Sequence, residues 1–118
     1  MGQNLLNLKV DPTSEKKIIL DNEKLGVDPG ETVNWQKLNP GERYTYTIKF
    51  FGDSPFKEHI FKIGKNGDTG DHTIIYDPHG SGQKSFKYSV FAVRMLKKYH
   101  LDPELIIPRN PKKENNPK

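Results

Sequence analysis

The 118-residue chain contains no cysteine and a single tryptophan, and its apolar fraction is only 32%. Without cysteine it has no disulfide scaffold, no iron–sulfur cluster, no thiol nucleophile and no Cys-based zinc module. No apolar run nears the roughly 20 residues of a membrane-spanning helix. The opening Met1-Gly-Gln-Asn-Leu-Leu-Asn-Leu-Lys-Val10 lacks the basic-then-apolar plan of a secretory signal. Leu6 stands where N-myristoylation requires Ser or Thr. The expectation is a protein with no membrane partner, cytoplasmic by default.

Charge of one sign is also scarce on the folded part. The net +4 is concentrated at the end, where residues 109–118 hold four bases and one acid. Removing them leaves +1 on residues 1–108. A phosphate-neutralising stripe belongs on a folded face, so no nucleic-acid partner is expected. The Pro/Asn/Lys-rich segment has no apolar residue with which to offset its ordering entropy. It reads as a disordered basic tail, and residues 1–108 read as one domain.

What is present is strand character. Leu6, Leu8 and Val10 alternate with Asn7 and Lys9, and Ile18–Leu20 follows as a short second strand. Asp28-Pro29-Gly30 is a turn in which Pro presets φ and Gly accepts a positive one. It feeds Thr32–Gln36, with Val33 and Trp35 on one face. After Asn39-Pro40-Gly41, the run Arg43–Phe50 alternates throughout and puts Tyr44, Tyr46, Ile48 and Phe50 inward. His59–Ile63 and Thr73–Tyr76 read as further strands. A long strand over Ser85–Val93 then points Phe86, Tyr88, Val90 and Ala92 inward, and Glu104–Ile107 closes the domain. Only Arg94–His100 looks helical, and it is too short to be stable alone. About eight short strands separated by turns predict an all-β, antiparallel sandwich.

Two segments together resemble the cupredoxins. Val27-Asp-Pro-Gly-Glu-Thr-Val-Asn-Trp35 is similar to their Pro-Gly turn and Val-x-Trp strand, and Phe86-Lys-Tyr-Ser-Val90 to their aromatic-x-Tyr-x-Cys strand. Ile48-Lys-Phe50, Ser54-Pro-Phe56 and Leu101-Asp-Pro-Glu-Leu-Ile-Ile107 resemble a group of bacterial cupredoxin-like domains without assigned function. The resemblance implies a Greek-key sandwich. It does not carry copper chemistry with it. A blue-copper centre needs a thiolate beside two imidazoles. Here the Cys slot is Val90, the following His slot is Val93, and Met95 lies near the axial position.

The remaining constellations are thin. His59 is a candidate imidazole ligand or a histidine at the rim of the core, and His72 and His79 lie in turns from which they would have to converge on it. That zinc or copper(II) arrangement is the alternative reading. Asn66–Asp71 fails the EF-hand plan, because Asp71 and Asp77 occupy the positions that require Gly and Glu. Gly80-Ser-Gly-Gln-Lys-Ser85 has Gln83 where a phosphate loop needs Gly. No Gly-x-Ser-x-Gly elbow exists, and Glu58 and Glu104 are isolated carboxylates.

The expectation is therefore a non-enzymatic binding or interaction module without cofactor or metal, meeting a protein partner or another copy of itself. Its contact surface would be an edge strand or an aromatic patch built around Phe51, Phe56 or Phe91.

Overall fold

The structure is a computed structural model and describes residues 2–78 and 82–109. The described residues form eleven strands in three sheets. In the first sheet, β1 (Gln3–Val10) lies between β2 (Ile18–Leu20) and β4 (Thr32–Lys37), and β7 (His72–Thr73) flanks β4. The second runs β10 (Lys97–Leu101), β9 (Ser89–Arg94), β5 (Thr45–Lys49), β6 (Ile60–Ile63). A smaller third sheet runs β3 (Lys24–Gly26), β11 (Glu104–Ile107), β8 (Lys84–Lys87).

The inward faces are those the alternation predicts. Leu6, Leu8, Val33, Trp35, Tyr44, Tyr46, Ile48, Phe50, Phe86, Tyr88, Val90 and Ala92 are all buried in one continuous core. Trp35 is its centre, with the rings of Tyr88, Phe61 and Phe56 at 5.5, 5.6 and 5.9 Å. The Asp28–Glu31 turn also forms as read, with Gly30 at φ 88° and the Glu31 amide donating to the Asp28 carbonyl.

Three expectations need correction. The architecture is all-β, but the sheets are mixed: β1 runs parallel to β4, with Leu6 opposite Trp35, and β3 runs parallel to β11. A parallel pair needs a long crossover. Here β2, β3 and their turns fill it in place of a helix.

The strand number exceeds eight, partly because Ser85–Val93 is not one strand. It breaks at Tyr88, whose amide donates to the Pro103 carbonyl. β8 then pairs with β11 while β9 pairs with β5 and β10. The alternation of side chains passes through this change of sheet unbroken, which hides it from periodicity.

Arg94–His100 is not helical. It forms the turn and second strand of the β9–β10 hairpin, with Arg94 opposite Lys97 and Phe91 opposite His100. A seven-residue helix cannot nucleate alone, whereas β9 supplies a ready ladder.

Arg109, read as the first residue of the tail, donates its amide to Asp28 and its guanidinium to Glu31 at 2.7 Å, and the rest of that tail reading, residues 110–118, lies outside the described residues. Among the described residues, no helix is long and apolar enough to cross a membrane.

Candidate functional site

Alternation in the second sheet sends one set of side chains into the core and the other to solvent. Thr45, Thr47 and Lys49 of β5 share the outer face with Phe91 and Val93 of β9 and with Lys98 and His100 of β10. The register lines up Thr47, Phe91 and His100 across three neighbouring strands. Phe51, just past the end of β5, is 64% exposed.

These residues touch. The Phe51 and Phe91 rings meet edge-on at 6.3 Å, and the His100 ring stacks on Phe91 at 6.0 Å and 28°. The Lys49 ammonium lies 4.7 Å from the Phe51 ring centroid, a cation–π contact that pins the exposed ring. A shallow concavity beside Phe51 is lined by Gly52, Lys87, Tyr88, Ser89 and Asp102.

Ser89, Asp102 and His100 are the residues of a hydrolase triad, but they are wired in the wrong order. The Ser89 hydroxyl donates to Asp102 at 2.6 Å, and His100 Nε2 lies 3.4 Å from the other oxygen of the same carboxylate. A nucleophilic serine needs the imidazole between itself and the carboxylate, so that the imidazole can take its proton. Here Asp102 holds both groups and the imidazole has no contact with the hydroxyl. The sequence offered no signal for this cluster, because Asp102 arrives from the β10–β11 turn.

Phe56 does not belong to the exposed face. It is 3% exposed and packs edge-on against Trp35, Phe50 and Phe61. The Ser54 hydroxyl accepts the Phe56 amide and donates to the Glu58 carbonyl, and this turn folds the ring inward.

The histidines are dispersed in their bonding. His59 is exposed, with Nδ1 3.4 Å from the Phe50 carbonyl. His72 is half-buried: Nε2 lies 2.9 Å from the Thr69 carbonyl, Nδ1 lies 3.8 Å from Glu58, and the ring sits 4.3 Å from that of Phe61. His79 lies outside the described residues. Among those described, no three His, Asp or Glu side chains group as metal ligands would.

Val90 is fully buried in the core between Ile48 and Leu101, whereas Met95 is 86% exposed at the β9–β10 turn. Side-chain oxygens of the Asn66–Asp71 loop are engaged within the protein, Asp68 accepting the Gly70 amide at 2.8 Å and Thr69 the Trp35 amide at 3.1 Å. Lys84 opens β8, where Asp53 takes its ammonium at 2.8 Å, and this pairing raises the lysine's proton affinity.

No protein-family model matches the chain, and no curated protein matches it. What the geometry defines is an all-β, sandwich-like protein with an aromatic cluster on one sheet, in which Phe51 is exposed and Phe91 half-buried.

Proposed function

We propose that the chain is a non-catalytic, cupredoxin-like Greek-key module that binds protein through the outer face of its second sheet, a second copy of itself being the first partner to test. Two four-stranded sheets around one core support the fold assignment. So does the Val-x-Trp strand that follows the Pro-Gly turn and carries the central tryptophan. Copper electron transfer is not part of the reading, because a carbon side chain cannot replace the thiolate that tunes such a site.

The observation that carries the reading is the Phe51–Phe91 pair, extended by His100 and braced by Lys49. Clustered aromatics with a polar rim are the composition of interaction hot spots. The Thr45, Thr47 and Lys98 side chains around them supply such a rim.

Sedimentation equilibrium over a wide concentration range tests this. The wild-type chain is expected to associate reversibly, and Phe51→Ser/Phe91→Ser to remain monomeric with an unchanged circular dichroism spectrum. A wild-type chain that stays monomeric throughout, or a double variant that associates equally well, overturns the proposal.

A further inference from the structure

The β9–β10 turn is built against the usual preferences of a hairpin. Only Met95 and Leu96 separate the paired residues Arg94 and Lys97. Two-residue turns of this kind put φ above zero at their first central position, where glycine, asparagine or aspartate is favoured. Met95 occupies it at φ 55°. Both central side chains are apolar, and they are 86% and 96% exposed. Neither contributes to the core, so folding does not account for the residue choice.

The surroundings are cationic. Arg94, Lys97 and Lys98 flank the two residues in sequence, and all three are exposed. No carboxylate pairs with any of them among the described residues. Arg43 and Lys65 are exposed at the same end of the sheet, around a depression that reaches Thr45, the partner of Val93. The acid in that depression, Glu42, is already occupied by the Val10 amide and the Tyr46 hydroxyl.

We infer that this turn is a peripheral docking element for an anionic lipid surface. Met95 and Leu96 would enter the headgroup–acyl boundary while Arg94, Lys97 and Lys98 face the lipid phosphates and carboxylates. The charge complements such a surface directly. The size argues in the same direction. Two side chains fall far short of the roughly 800 Å² per partner of a stable protein–protein contact. Binding at a bilayer interface, by contrast, scales with buried apolar area plus electrostatic attraction to anionic lipids, and the turn supplies both. This departs from the expectation of no membrane partner, which rested on the lack of a spanning segment, and surface docking needs none. The contact lies at the hairpin end of the same sheet, shares Lys98 with the rim of the Phe51–Phe91 face, and does not depend on that face.

Co-sedimentation of the full chain with vesicles tests the inference. Binding is expected to phosphatidylserine-containing vesicles at low salt, and not to pure phosphatidylcholine vesicles or at high salt. Met95→Gly/Leu96→Ser leaves the turn conformation open to the backbone while removing the apolar wedge. It should weaken binding about tenfold or more with an unchanged circular dichroism spectrum. Arg94→Gln/Lys97→Gln/Lys98→Gln should do the same. A chain ending at Arg109 should bind as the full chain does, which separates the hairpin from the basic C-terminal residues. The inference is overturned if the wild-type chain ignores phosphatidylserine vesicles, as it would were the turn built for an acidic protein. It is overturned equally if the Met95/Leu96 variant binds undiminished, or if shortening the chain abolishes binding.

Discussion

The indole N–H of Trp35 donates to the hydroxyl of Tyr88 at 3.3 Å, with both rings buried. Trp35 stands on β4 of the first sheet, and Tyr88 sits at the break where the chain leaves the third sheet for the second. One hydrogen bond therefore joins elements from across the fold. Burial pushes the Tyr88 hydroxyl well above its ordinary proton affinity and keeps it neutral. Tyr88→Phe is expected to leave the indole donor without a partner at a loss of about 1–3 kcal/mol. Urea unfolding followed by circular dichroism measures this. An unchanged midpoint would show that the indole does not need the hydroxyl.

Alkaline stability is expected to depend on Tyr46. Burial raises its proton affinity first, and the hydroxyl's donation to the Glu42 carboxylate raises it further. The folded state therefore holds this proton above pH 10.0, where an unfolded tyrosine loses it. The stabilisation is complete below that pH and declines as pH rises above it. Denaturation midpoints taken from neutral to strongly alkaline pH should fall for the wild-type chain, and less steeply for Tyr46→Phe. Equal slopes would assign the alkaline loss to other groups.

Met95→Gly is expected to stabilise the fold by about 1 kcal/mol, because a left-handed backbone is strained for a residue with a Cβ and free for glycine. Met95→Ala keeps the Cβ and should change nothing, since the rest of the side chain is exposed. Thermal unfolding of the two variants compares them directly. A Gly variant no more stable than the Ala variant would mean that the turn carries no strain.

The domain is expected to end after Arg109. A chain stopped there should match the full-length chain in stability. Arg109→Ala should lose about 1 kcal/mol, and less at high salt, because its bonds to Asp28 and Glu31 are charge-assisted and partly exposed. Salt-independent loss would point instead to the packing of its stem over Gly26.

Much of the fold was legible residue by residue. Arg43–Phe50 announced its buried face without a fault, and Glu104–Ile107 ends where the structure ends it. Phe51 and Phe91 fall outside the inward register, and the structure leaves Phe51 exposed and Phe91 half-buried. Phe56 was misplaced because a turn made by the Ser54 hydroxyl, not a strand period, decides where it points. The break at Tyr88 was invisible because both of its strands bury the same alternate residues.

The sequence alone determined the all-β class, the inward face of the long strands and the absence of a thiolate site. Each of these follows from chemistry local to a few residues: the two-residue period, the turn residues, and the presence or absence of sulfur. Only the tertiary structure decided that β1 runs parallel to β4, that Ser89 and His100 share the Asp102 carboxylate, and that Met95 and Leu96 stand in solvent among cations. Those relations join residues through pairings between strands, and a strand's side-chain period is the same whichever neighbour it meets.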